Sequence, residues 1–178
     1  VVHRLDQPVE GIVVFAKTKQ AAAELGKQVT DGRMKKIYHA VCCQQIKEDK
    51  NESKIVLEQQ RLPENQLEKL SETSDGSWYQ LVDYLAKDGR KNISTVVGRE
   101  KRDAKKAELS FCILARNMAP KGYGELLLAE IELKTGRHHQ IRVQMSHAGL
   151  PLYGDRKYNL NWEKFASDGE RMQLALCA

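Results

Sequence analysis

Apolar positions recur along this chain mostly with the period of two that strands require, and the breaks in that rhythm mark helices and loops. Ile12-Val13-Val14-Phe15-Ala16 is an unbroken β-branched and aromatic run, which predicts a strand buried on both faces. Thr18 then predicts the cap of a helix reaching about Asp31, with Ala21, Ala22, Leu25 and Val29 as its apolar stripe and Gly32 as its stop. From Ile37 to Cys43 a strand is predicted, with Ile37, His39, Val41 and Cys43 on one face and Tyr38, Ala40 and Cys42 on the other. The pattern fades from about 44 to 77 into Lys, Glu, Gln, Asn and Ser, a polar insert or loop in which Pro63 to Leu70 predicts a short amphipathic helix. Order returns at Trp78 to Leu85. A polar turn at Lys87 to Asn92 leads to a strand from Ile93 to Val97. Glu108 to Leu114 and Gly124 to Lys134 predict two antiparallel strands joined by a loop at Met118 to Tyr123. His138 to Ala148 then carries Ile141, Met145 and Ala148 at helical spacing, with Thr135 as a candidate cap and Gly149 as the stop.

Composition narrows the class. A chain of 178 residues fits one domain, and 41% hydrophobic with 30% charged residues is a globular balance. No apolar run reaches the roughly 18 residues of a membrane span. Lys plus Arg number 29 against 24 Asp plus Glu, and the net +5 suits a polyanionic partner without demanding one. Cys42, Cys43, Cys112 and Cys177 lack C-x-x-C spacing, so reduced, mostly buried thiols and a cytoplasmic setting are expected. The most basic window, Gly98 to Lys106, reads either as a solvated loop or as a source of sequence-independent attraction for RNA.

The densest chemistry is at the start, in His3-Arg4-Leu5-Asp6, where Arg4 and Asp6 share one side of an extended segment. A guanidinium beside a carboxylate keeps the acid ionised and fixes its rotamer. A purely structural ion pair at a strand end has the same pattern, and the stretch alone leaves both readings open. A second cluster runs Thr135-Gly136-Arg137-His138-His139-Gln140-Ile141-Arg142-Val143. Together with Lys36-Ile37-Tyr38-His39-Ala40 and Gly149-Leu150-Pro151-Leu152-Tyr153-Gly154-Asp155, these stretches resemble, in order, the motifs of the RluA-type pseudouridine synthase family. The resemblance brackets most of the chain. It departs from the family where Pro8-Val9-Glu10-Gly11 replaces the usual Thr-Ser-Gly, and where Gln144 and Cys177 stand in place of histidines.

The resemblance implies an α+β fold, a mixed and mainly antiparallel β-sheet with flanking helices, as a single catalytic domain over 1–178 that is incomplete at both ends. It implies isomerisation of specific uridines in ribosomal or transfer RNA to pseudouridine, by a monomer that needs no cofactor and no metal. Asp6 is then the catalytic carboxylate, nucleophile or base, with Arg142 paired to it and Tyr38 stacked on the uracil. Arg4 would hold the flipped nucleotide, with Arg137 and His138 as further RNA contacts. His139 would be held as part of the fold around the site. Arg90 and Lys91 in the polar turn are candidate phosphate contacts, although such turns are often basic for solubility alone. His138, His139 and His147 lack i, i+4 pairing, so the residues themselves do not predict a metal site. Two other classes stay in play: a non-catalytic RNA-binding module of the same fold, and a glycoside or nucleoside hydrolase, which would want a second working carboxylate, with only Glu10 nearby.

Overall fold

In a computed structural model of the chain, which describes residues 2–45, 68–73, 76–165 and 172–178, one sheet carries the whole architecture. Its elements are α1 (Lys19–Thr30), β1 (Ile37–Gln45), β2 (Glu68–Thr73), β3 (Gly76–Asp88), β4 (Ile93–Val97), β5 (Lys105–Met118), β6 (Gly124–Leu133), α2 (Gln140–His147), α3 (Trp162–Phe165) and β7 (Leu176–Cys177). The strand order is β2-β3-β5-β6-β1-β7, with β4 folded back onto β3. Among the described residues every ladder is antiparallel, and parallel pairing is confined to an isolated bridge between Glu10 and Cys177. No described helix is long and apolar enough to cross a membrane.

Alternation decides which face of the sheet is covered. Tyr38, Ala40 and Cys42 of β1 join Leu109 and Phe111 of β5 and Leu127, Ala129 and Ile131 of β6 on the face that receives α2. Against them α2 sets Ile141 and Met145, while Val143 packs on Leu85 and Ala107. The opposite face of β1 buries Cys43 with Ala119 and Phe165. All four cysteines are free thiols; burial raises Cys42 and pushes Cys43 up to about 12, and only Cys177 is exposed.

Three expectations are corrected. Residues 12–16 form no strand: Ile12 and Phe15 are 76% and 67% exposed. Single backbone bonds, Val2 to Val14 and Ile12 to Ala178, hold the segment in place of a ladder. A β-branched run is strand-forming only where a neighbour offers a full row of partners. The helix expected over 63–70 lies outside the described residues for 63–67, and 68–70 belong to β2, so the expected polar insert is shorter at this end. Sheet pairing with β3 overrides the weak helical pattern. Finally, Thr135 does not cap α2. The residue at that boundary is His139, in the left-handed region at φ 52°. The Thr135 hydroxyl instead accepts from Glu108 N–H at 2.9 Å and donates to Gln140 Oε1 at 2.8 Å.

That last bond opens a buried polar chain. Gln140 Nε2 donates to Gln144 Oε1 (2.9 Å), Gln144 Nε2 donates to Asp83 Oδ2 (2.7 Å), and His147 Nδ1 lies 3.2 Å from Asp83 Oδ1. Every fully buried side-chain nitrogen and oxygen among the described residues has a partner. Gln144 is fully buried, so its loss cannot be made good by water. Gln144→Leu is expected to lower stability by about 3 kcal/mol, stranding one Asp83 oxygen and one N–H of the Gln140 amide, and hence to lower Tm by roughly 6–12 °C in a thermal melt followed by circular dichroism.

Candidate active site

Where the carboxyl end of β6 turns into α2, the sheet opens a cleft of roughly 460 Å³. β1 supplies Tyr38, the turn before α2 supplies Arg137, His138 and His139, α2 supplies Arg142, and the amino-terminal arm supplies Arg4 and Asp6. A turn closed by Val9 N–H on the Asp6 carbonyl (2.9 Å) presents the Asp6 side chain. Beyond it the arm is clamped to the sheet edge, because Ala178 N–H donates to the Glu10 carbonyl and Ile12 N–H donates to the Ala178 carbonyl. Gly11 sits at φ +141° with Ala178 against it, where any side chain would collide.

Arg142 shares this cleft with Asp6, but its partner is not Asp6. Its Nε donates to Asp155 Oδ2 at 2.8 Å and its NH2 to Asp155 Oδ1 at 2.6 Å, a bidentate pair that corrects the expected one. Burial explains the choice. Asp155 is 1% exposed and has no water to turn to, whereas the Asp6 side chain keeps 25% of its surface. Burial works against the charge on Arg142, but the two hydrogen bonds and the charge of Asp155 outweigh it and raise the guanidinium's pKa. Its plane also faces the Tyr158 ring at 5.1 Å.

Among the described residues the basic side chain within 4 Å of the Asp6 carboxylate is instead His139, with Nε2 3.8 Å from Oδ2. The His139 ring is buried, its Nδ1 is 2.8 Å from the Tyr158 hydroxyl, and that hydroxyl also accepts from Ser94 N–H at 2.8 Å. A phenol donating to Nδ1 leaves the proton of the neutral ring on Nε2, directed at Asp6. Burial first, and then the charge of Arg142, push the His139 pKa down to about 4, against the pull of Asp6. His138 stacks on His139 at 3.8 Å between ring centroids, with Ser94 Oγ and Asn92 Oδ1 each 3.0 Å from its two nitrogens. Burial lowers its pKa as well. His138 therefore offers the cleft a fixed neutral ring rather than a free cation.

Tyr38 is half-buried, and burial together with the Asp6 charge raises its pKa, so the phenol stays protonated. Arg4 and Arg137 line the cleft; Arg137 is steadied by Nε donating to the Lys106 carbonyl at 2.8 Å. Arg90 and Lys91 do not line it. They sit in the β3–β4 turn, where their backbone N–H groups donate to Asp88 Oδ1, and it is Lys87, at the end of β3, that reaches the cleft wall. Sequence reasoning gave no role to Lys36, Lys87, Asp155 or Tyr158. Lys36 and Asp155 lay inside quoted motifs; nothing local marked Tyr158, whose partners Ser94 and His139 are far off in the chain.

Residues 1–147 match the RNA pseudouridylate synthase family. The chain belongs to that family. It is 27% identical over 158 residues to a tRNA pseudouridine synthase C of Vibrio cholerae, covering 86% of this chain and 52% of the relative. To an uncharacterized RNA pseudouridine synthase of Chloroflexus aurantiacus it is 30% identical over 158 residues, 89% of this chain and 38% of the relative. The fold is similar to that of human RNA pseudouridylate synthase domain containing 1, with a TM-score of 0.69 at 19% identity over 99% of this chain and 60% of that one. The chain spans about half the length or less of the curated relatives it matches. The α+β fold with a mainly antiparallel sheet is thus that of the family.

The low pKa of His139 has a sign that can be checked. Its folded value lies below the roughly 6.5 of an unfolded histidine, so the unfolded chain binds the extra proton between them. The stabilisation is complete above about pH 6.5 and is lost as pH falls towards about 4. Urea denaturation at pH 7 and pH 5 is expected to show the parent losing on the order of 1–2 kcal/mol on acidification, with His139→Gln showing a visibly flatter dependence.

Proposed function

We propose that the protein isomerises specific uridines of ribosomal or transfer RNA to pseudouridine, with Asp6 as the working carboxylate. The observation that carries this is the composition of the cleft wall: Asp6 is the sole acid among its described residues, set with Tyr38 among the cations Arg4, Lys36, Lys87, Arg137 and Arg142. The reaction breaks the C1′–N1 bond, turns the uracil while it is held, and rejoins it through C5. The proton on C5 is released, and no electron is gained or lost. Redox and hydrolytic groups are therefore unnecessary, and the site has to supply an ionised carboxylate, a platform for the freed base and shelter from water.

Asp6 acts either as the nucleophile at the sugar or as the base that takes the C2′ proton in a glycal route. Tyr38, with its raised pKa, stacks on the base as a neutral phenol. Arg4, exposed at the mouth, holds the flipped nucleotide, and Arg137 with the His138 ring contacts the strand beside it. Arg142 acts on Asp6 through its charge and through the wall it builds with Asp155, rather than by direct pairing. Arg90 and Lys91 are left as outer contacts for phosphates that run past the rim.

A hydrolase is less well supported, because Glu10 is exposed and borders a different groove, with His39, Leu128 and Cys177. The test is tritium release from RNA labelled at uridine C5, using total ribosomal and total transfer RNA from a strain lacking the enzyme. The parent is expected to release tritium from one of the two pools, and Asp6→Asn to lose roughly a thousandfold or more of that rate while keeping its fold. Binding without release by the parent would replace the isomerase with an RNA-binding module.

A further inference from the structure

Lys36 is half-buried in the cleft wall immediately before β1, where its carbonyl accepts from Leu133 N–H at 2.9 Å and extends the β1–β6 ladder by one bond. Standing two residues before Tyr38, it points to the same side of the strand. Its ammonium has no hydrogen-bond or ion-pair partner among the described residues; the register sets Glu108 and Glu132 on the opposite face of the sheet, where they pair with Lys106 at 2.9 Å and Lys134 at 2.8 Å. What faces Lys36 is another cation, Arg137, whose charge adds to burial in lowering the lysine's pKa. Arg137 in turn spends only Nε on the Lys106 carbonyl, so its two terminal nitrogens have no described partner. Gly136 lies between them, and even a methyl there would stand 3.6 Å from Lys36 Nζ.

A half-buried ammonium beside an exposed guanidinium, with no counter-ion for either among the described residues, is repelled by it. Val29 and Leu133, which line the same stretch of wall, would pack as well against an unbranched apolar side chain. The arrangement becomes favourable once a singly charged anion with several acceptor oxygens enters, because the guanidinium and the ammonium can then share it. Resting on the RNA reading above, we propose that Lys36 and Arg137 form a subsite for a phosphodiester of the RNA strand beside the target uridine. Lys36 is its inner point charge, and Arg137 is its outer, planar donor.

The experiment compares Lys36→Met, Lys36→Arg and, as a control on an exposed loop lysine outside the cleft, Lys17→Met in the same protein. Fluorescein-labelled decauridylate is titrated between 50 and 300 mM KCl. Lys36→Met is expected to weaken binding by about five- to tenfold at 100 mM and to reduce the slope of log K against log salt by about 0.7, the loss of one single-strand phosphate contact. Lys36→Arg should keep both values near the parent, and Lys17→Met should change neither. In tritium release, Lys36→Met should raise KM while leaving kcat within about twofold. A Lys36→Met slope equal to that of Lys17→Met overturns the subsite, and so does failure of Lys36→Arg to rescue, which would mean that packing rather than charge was lost. Tritium release by the parent with an unchanged Lys36→Met slope removes the subsite and leaves the isomerase. A reduced slope without any release does the reverse.

Discussion

A buried ion pair, Arg142 with Asp155, fixes the geometry on which the cleft depends. Two opposite charges withdrawn from water are tolerated only when the hydrogen bonding around them is complete. Here it is, because Asp155 Oδ1 also accepts from Lys157 N–H and Tyr158 N–H at 3.0 and 3.2 Å. The carboxylate thereby organises the loop that follows it, and that loop delivers Tyr158. Tyr158 closes on His139 through its hydroxyl, on Ser94 of β4 through the same oxygen, and on Arg142 through its ring. The loop starts at Gly154, φ +74°, with the Gln173 carbonyl pressed against the place where a side chain would begin. Removing either charge would strand the other and free β4, α2 and the wall behind Asp6 together.

The same pair leaves Asp6 outside any arginine or lysine salt bridge among the described residues. The strong cation nearby is committed to Asp155, and the ring in front of Asp6 is held neutral by burial and by that same cation. Asp6 is therefore met by an N–H dipole at 3.8 Å rather than by a full positive charge. A carboxylate locked in a bidentate arginine pair would have its oxygens directed away from a substrate. Asp6, on an arm clamped by a few backbone bonds at the sheet edge, keeps 25% of its side-chain surface exposed.

The sheet was legible because alternation is a local signal. β1, β4 and β6, and the hairpin at 118–123, fall where apolar periodicity places them, and Thr18 caps α1 through the Ala21 N–H as its position suggests. The failures all turn on partners distant in sequence. Residues 12–16 have strand composition but lack a ladder, and 68–70 are drawn into β2 by β3. Thr135 has cap chemistry but is taken by Glu108, 27 positions away. The site follows the same rule. Its residues could be named from motifs, and six of the eight candidates line one cleft. Which acid Arg142 would choose depended on burial, and no spacing in the chain encodes burial.

Charge density along the chain is an equally poor guide to where an anion would bind. The most basic window, 98–106, contributes nothing to the cleft wall: Arg99 lies over the Tyr84 ring and Lys106 is paired with Glu108. The cations that do line the wall without a described acid partner, Arg4, Lys36, Lys87 and Arg137, come from four separate segments, one from each. A net charge of +5 would give only weak attraction if spread over the surface. Gathered around a single carboxylate in a partly enclosed space, four such charges focus a positive field in the cleft, and screening by salt is weakest there. Antiparallel topology makes this concentration possible, because it brings the start of β1, the end of β3 and the end of β6 to the same edge of the sheet, with the amino-terminal arm laid across them.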